Sequence, residues 1–222
     1  MKSIIKCFFT ILTLILLTSC AGNELSALPL DTPLADIPGE GSYPIPMSLD
    51  EIEEQTENIV LVTMKGIHHL GELDPTKEEY QWTLTIAQVE VKDVVKGMLE
   101  VGDSIYVGEP YYISQGKDLQ RIGGYVPMSV EQDYLLFLSN QTNESWLENP
   151  VDSWTINFLG FGQYHPNKEA SFYSDSQSRQ AKGFDTYSDL TNYDFVATGE
   201  EEVEQYLTIR KEIERKYFSI FQ

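Results

Sequence analysis

Apolar residues fall at every second position through the middle of this chain and at every third or fourth position near its C terminus. Ile59 to Met64 is a β-branched run and predicts a buried strand. Tyr80 to Val95 gives the strongest strand signal. Trp82, Leu84 and Ile86 alternate there, and Val89 and Val91 then alternate in the opposite phase. A phase flip inside one long strand predicts a bulge near Ala87-Gln88, a device that bends a strand around a barrel. Lys96-Gly97 and Val101-Gly102-Asp103 read as turns, and Ser104 to Val107 as the next strand. Asp133 to Leu138 (DYLLFL) is a continuous apolar run, which suits a central strand covered on both faces. Trp154, Ile156 and Phe158 alternate again and lead into Gly160 and Gly162. Ala170 to Tyr173 predicts a short strand. His68 to Glu79, Tyr111 to Gly124 and Gln141 to Asp152 read as loops, and Gln177 to Asn192 is polar without a period.

The helical period appears twice. Ser48-Leu49-Asp50-Glu51 is a capping box: Ser48 caps the helix start and Glu51 reaches back to it. Leu49, Ile52 and Ile59 give this short helix its buried side. From Glu200 to Phe218, Val203, Tyr206, Leu207, Arg210, Ile213 and Tyr217 sit at helical spacing. Glu200 to Glu202 lie in the first turn, and Lys211, Arg215 and Lys216 near the end, as the helix dipole favours. Residues 48–222 therefore read as one α+β domain, mainly antiparallel, with a short N-terminal helix and a C-terminal helix.

The first 47 residues follow neither period. Lys2 and Lys6 precede an apolar run from Cys7 to Leu17, interrupted only by Thr10 and Thr13. This is the layout of a secretory signal peptide over residues 1–19, too short for a comfortable membrane span. Leu17-Thr18-Ser19-Cys20 resembles the lipobox of bacterial lipoproteins. The resemblance implies that the Cys20 thiol receives a diacylglyceryl group and that cleavage leaves Cys20 as the first mature residue. Two or more acyl chains attach a protein stably, where a single chain does not. The alternative is an ordinary signal peptide with a chance cysteine. A retained transmembrane anchor is disfavoured by Thr18, Ser19, Asn23 and Glu24. Residues 20–47 carry Pro29, Pro33, Pro38, Pro44 and Pro46 and predict a semi-extended spacer that lifts the domain by some tens of Å. The alternative is an arm packed on the domain through Leu28, Leu30 and Leu34.

Charge narrows the partners. The chain carries a formal −20, and the two signal lysines leave without any acid, which takes the mature chain to −22. Such a surface repels nucleic acid and anionic headgroups, so no nucleic-acid partner is expected. Of the two cysteines, Cys7 leaves with the signal and Cys20 carries lipid, so no disulfide is expected in a compartment that would allow one. Stability must come from an ordinary core, and ten Phe, thirteen Tyr and three Trp supply one.

One stretch, from Ile59 to about Phe161, resembles a known pattern. It contains Val89-x-Val91-x-x-Val94-Val95-Lys96-Gly97, then Val101-Gly102-Asp103-Ser104-Ile105-Tyr106-Val107, and later Asp133-Tyr134-Leu135-Leu136-Phe137-Leu138. This is similar to uncharacterised bacterial surface proteins and lipoproteins associated with OB-like barrels of the tissue-inhibitor and netrin type. The resemblance implies an OB-like β-barrel and is silent on ligand. Tissue inhibitors hold a protease metal with a free N-terminal cysteine and are disulfide-bonded. Cys20 is expected to be acylated and unpaired, so that mechanism does not transfer.

Candidate chemistry is sparse. His68-His69, with Glu72, Asp74 and His165, could hold a divalent metal. Adjacent histidines in a strand point to opposite faces, and only a loop would let them chelate together. HExxH, paired CxxC, phosphate-binding glycine-loop and GxSxG motifs are all missing, so no catalytic residue and no cofactor is assigned. Tyr111, Tyr112, Trp146 and Tyr164 could stack on sugar rings or a peptide, as the binding face of an OB-like barrel does, with Glu109 and Asp118 adding polarity. Trp154 alternates with Ile156 and Phe158 and belongs to the core instead. The expectation is a lipid-anchored surface lipoprotein on the extracytoplasmic side, a non-enzymatic binding module for an unknown envelope or extracellular partner. An envelope hydrolase and an accessory lipoprotein of a complex are the alternatives.

Overall fold

The computed structural model describes residues 27–35, 43–73, 84–145, 147, 150–172, 184–197 and 199–221. Cys20, Asp74, Trp82 and Trp146 lie outside them. Five strands close a barrel: β1 (Asn58–His69), β2 (Thr85–Lys96), β3 (Ser104–Glu109), β6 (Asp133–Asn143) and β7 (Asp152–Ile156). Their ring order is β1-β2-β3-β7-β6, and β6 pairs back onto β1 from Asn58↔Leu138 to Thr63↔Asp133. Between β3 and β6 lies a hairpin of β4 (Tyr111–Ile113) and β5 (Leu119–Arg121). This closed ring is compatible with an OB-like fold.

The sheet is mixed rather than wholly antiparallel. A ring with an odd number of strands cannot alternate direction all the way round. The one parallel joint falls between β3 and β7, with Tyr106↔Ser153 to Gly108↔Thr155. A second parallel pair, β9 (Glu169–Phe172) with β10 (Tyr193–Ala197), stands outside the ring, and β8 (Gln163–Tyr164) adds to β6.

The barrel is filled by side chains. Val60, Val62 and Met64 of β1 meet Ala87, Val89 and Val91 of β2, and Leu136, Leu138, Trp154 and Ile156 close the other side. Burying each such side chain contributes about 1.5–3 kcal/mol. Leu135 and Phe137 point the other way from β6 and are also fully buried. DYLLFL is therefore covered on both faces.

The phase flip in β2 has a different cause from a bulge at Ala87-Gln88. The β2–β3 register is continuous from Thr85↔Glu109 to Glu90↔Ser104. Thr85, Ile86 and Ala87 are all buried, so the start of β2 is covered on both faces and apolar residues occur in both phases. Across from this stretch the ladder slips on β1, between Met64 and Gly66 and between Ile67 and His69.

The outer face of β6 is covered by α1 (Leu49–Glu54) and α3 (Glu200–Tyr217). Ser48 Oγ accepts the Glu51 amide at 3.2 Å, and Glu51 accepts the Met47 amide at 2.7 Å. Tyr217 also bonds Glu53, which ties the two helices together. The buried stripe of α3 is Val203, Tyr206, Ile209, Arg210, Ile213 and Tyr217, while Leu207 is 40% exposed. Gly124, with φ of 70°, admits the Phe195 ring 2.6 Å from where its own Cβ would stand. Phe195 then stacks on Tyr206 at 4.4 Å. Among the described residues no helix is long and apolar enough to cross a membrane.

Part of the proline-rich segment lies on the domain. Residues 27–35 run between β5 and α2 (Tyr187–Leu190), a short helix inside the stretch that shows no period. Leu119 N donates to Pro33 O at 2.7 Å, and Ala35 N to Leu119 O at 3.0 Å. Tyr187 N and Ser188 N, in the first turn of α2, donate to Thr32 O and Leu30 O at 2.9 Å each. The arm thus satisfies amides that a helix start leaves without partners. Leu28 is buried, Leu34 packs against the core and Leu30 is 59% exposed. Where the proline spacing suggests a free spacer, these nine residues form a packed arm.

Candidate functional site

The sequence-predicted residues do not converge. His68 and His69 fall inside β1 rather than in a loop. The His68 ring packs 4.7 Å from the Tyr106 ring of β3, and burial followed by the neighbouring His68 lowers the pKa of His69. His165 is elsewhere, 5.4 Å from the Tyr134 ring, with Nε2 3.2 Å from Gln132 Oε1. Among the described residues no group of three or more His, Cys, Asp or Glu is placed to hold a metal.

Tyr111 and Tyr164 are fully buried. Tyr111 begins the β4–β5 hairpin and packs into the barrel core, and Tyr164 stacks on Tyr206 at 5.2 Å. Their rings are core, which leaves a stacking role without support from these two. Tyr112 is 9% exposed on β4. Trp154 is core, inside the barrel.

Two other features stand out. One is an open cleft of about 350 Å³ between the end of β1 and the β4–β5 hairpin, lined by Glu72, Leu73, Ile113, Ser114, Gln115 and Lys117. Backbone bonds fix its walls: Ile113 N donates to Gly71 O at 2.8 Å, and Leu73 N to Ile113 O at 3.1 Å.

The second is a buried polar seam between the barrel and α3. It starts at Glu109, the last residue of β3, which shares the inward phase of Val107. Glu109 Oε2 lies 2.8 Å from the Met128 amide and 2.8 Å from Tyr125 OH. Tyr125 OH is also 2.6 Å from Gln163 Oε1, whose amide is oriented by Nε2 donating to Val126 O at 2.9 Å. Tyr125 has one hydroxyl proton and cannot serve two acceptors. The chain of bonds closes when Glu109 is protonated, donating to Tyr125, which donates to Gln163. Burial independently pushes the Glu109 carboxyl up to about 7, against the opposing pull of the Met128 amide and of Lys168.

Next along the seam is Lys168. Its Nζ lies 2.9 Å from Tyr134 OH and 3.4 Å from Ser129 Oγ, and 5.2 Å from the Tyr134 ring centre. Ser129 Oγ is 3.4 Å from Tyr187 OH. Burial lowers the Lys168 pKa, with Asp194 and Glu109 opposing. The seam ends in an ion pair. Arg210 Nη1 donates to Asp194 Oδ2 at 2.7 Å, the His165 amide to the same oxygen at 2.8 Å, and Arg210 Nη2 to His165 O at 2.9 Å. Burial pushes Asp194 up to about 6, with Arg210 opposing, and burial holds His165 down at about 4.

Three of these groups left a trace in the sequence. Arg210 sits on the apolar stripe of a helix, Glu109 continues an inward alternation, and buried Tyr134 is the second residue of DYLLFL. Lys168, Ser129 and Asp194 left none, because their partners are tens of residues away. Comparison with family models, with curated proteins and with solved structures returns no match.

Proposed function

We propose that this chain is a surface lipoprotein, held by lipid on Cys20 to the extracytoplasmic side of the cell membrane, whose OB-like barrel is a non-enzymatic binding module. The observation that carries the anchor is Leu17-Thr18-Ser19-Cys20 at the end of an apolar run. The filled barrel interior supports binding at the surface rather than in a central cavity. OB-like barrels bind along one strand face and the loops beside it, and the cleft at the β4–β5 hairpin lies among loops at the end of β1. Tyr112 belongs to that hairpin. Net charge favours a neutral or cationic envelope partner over nucleic acid. Replacing Cys20 tests the anchor: Cys20→Ala is expected to leave the membrane fraction or to stay uncleaved. A variant that fractionates and migrates like the wild type contradicts the anchor.

One observation favours a second reading, an envelope hydrolase: a buried lysine amine 3.4 Å from a serine hydroxyl. A lysine of depressed pKa can serve as the base for a serine nucleophile. A hydrolase screen whose signal disappears in Ser129→Ala and Lys168→Met would move the assignment to that reading.

A further inference from the structure

We infer that the turn between β2 and β3 is an interaction surface for a cationic, partly apolar segment of another protein. The inference rests neither on the anchor at Cys20 nor on the cleft at the β4–β5 hairpin. Seven large apolar side chains are strongly exposed among the described residues. Three of them, Val95, Met98 and Val101, fall in or beside this one turn, at 40%, 80% and 67% exposure. The fold does not call for them. Val94 and Leu99 are the residues here that pack against the barrel core, and their chain neighbours Val95 and Met98 are left in water. Single exposed apolar residues are ordinary on a protein surface, whereas a concentration of them marks a contact site.

The turn is pinned in shape. The Met98 amide donates to Asn58 Oδ1 at 2.9 Å and the Leu99 amide to the same oxygen at 3.4 Å. Gly97, with φ of 113°, makes room for that side chain, since a Cβ there would collide with Asn58 Oδ1. Asp103 Oδ2 accepts the Glu100 amide at 2.8 Å, and the Gly102 amide donates to Val91 O at 2.8 Å. A preformed surface loses little freedom on binding. Charge then selects the partner. Asp93, Glu100 and Asp103 lie in or beside the turn, and Glu57 precedes the Asn58 that pins it. Among the described residues none of these four carboxylates takes part in an ion pair. The neighbouring amines are committed elsewhere. Lys92 pairs with Asp133 at 2.6 Å, and Lys96 Nζ donates to Glu53 O at 2.7 Å and to Thr56 O at 2.6 Å. A second copy of this turn, or an anionic lipid surface, would set like charge against like. A segment that alternates Lys or Arg with apolar side chains covers Met98 and Val101 and meets the carboxylates around them, where opposite charge guides encounter and register.

The test uses the full chain and a short fluorescent peptide of alternating lysine and leucine, read by fluorescence anisotropy. A peptide with glutamate in place of lysine is the charge control. The wild type is expected to bind the first and not the second. Met98→Ser combined with Val101→Ser keeps every charge and is expected to weaken binding about tenfold, because two side chains no longer gain from burial. Asp93→Asn combined with Glu100→Gln keeps the apolar side chains and is expected to weaken it several-fold, with the difference shrinking at high salt. Matching thermal melts check that the variants are folded. A photo-crosslinking group on the peptide is expected to label residues 93–103 of the wild type, a result that needs no variant. Failure of the wild type to bind overturns the inference. Binding unchanged in the serine variant, or crosslinks concentrated outside the turn, also overturns it, because the peptide would then be following net charge alone. Labelling of the turn by a photoactivatable phosphatidylcholine, with the peptide unbound, would assign it to a lipid surface. Self-association that the serine variant abolishes would assign it to a second copy. Either of these two results replaces the cationic segment as occupant and overturns the inference.

Discussion

The inside of the barrel and the seam beneath α3 are both buried but built from opposite materials. The interior is mainly Val, Leu, Ile and Met, with Ala87 and Trp154, drawn from alternate positions of the strands. The seam holds Glu109, Lys168, Asp194 and Arg210, all buried, together with Tyr134, Tyr164 and Tyr206. An apolar interior tolerates imperfect geometry at a graded cost. A buried polar seam depends on every partner, since a charge left alone in a dry site costs far more than a missing methyl group. The seam is therefore the less forgiving of the two, although it supplies less of the apolar burial.

Breaking that contrast begins with the ion pair. Arg210→Met leaves Asp194 buried without its cation and is expected to cost about 3–5 kcal/mol in urea unfolding. Arg210→Met with Asp194→Asn is expected to recover most of that loss. Equal losses in the single and double variants would mean that packing, not charge, is what Arg210 supplies. In the interior, Leu136→Ala is expected to cost about 2–5 kcal/mol, with no rescue by a second polar change.

Glu109 gives the most specific effect, because it depends on pH. Its folded pKa is raised from 4.5 to about 7, so the folded state holds a proton that the unfolded state has released. Stability is therefore lost as pH rises from 4.5 through 7, by about 3 kcal/mol in full. His165, lowered to about 4, works the other way and loses stability as pH falls below 6.5. Glu109→Gln keeps an acceptor for the Met128 amide and removes the titration. The variant is expected to match the wild type near pH 4.5 and to exceed it at pH 8 in thermal melts. A constant difference across that range would contradict a protonated Glu109.

What the sequence discloses follows the same division. Strands β1, β2, β3, β6 and β7 and helix α3 are legible because burial on one side of a regular element leaves a period. Ile209 takes the place that spacing gives to Leu207, a shift of two residues within a real stripe. The arm at 27–35 is legible only as the alternative that Leu28, Leu30 and Leu34 carry, and α2 only through the Thr186 and Asp189 side chains that cap it, because the backbone bonds between the two impose no period. The His68-His69 pair is misleading for a related reason: nothing in its polar surroundings reveals that β1 continues through it. Tyr111 and Tyr164 show the limit of reading aromatics as a binding face. A tyrosine ring fills a core as well as it fills a ligand site, and only the surrounding fold decides.

The lipid anchor is tested most directly by the mass of the N-terminal peptide of the chain purified from membranes. The expected peptide begins at Cys20 and carries the added mass of a diacylglyceryl group, with or without a further acyl chain on its amine. A peptide that runs unbroken across Ser19-Cys20, or begins beyond Cys20, or carries Cys20 as an unmodified thiol, would contradict it.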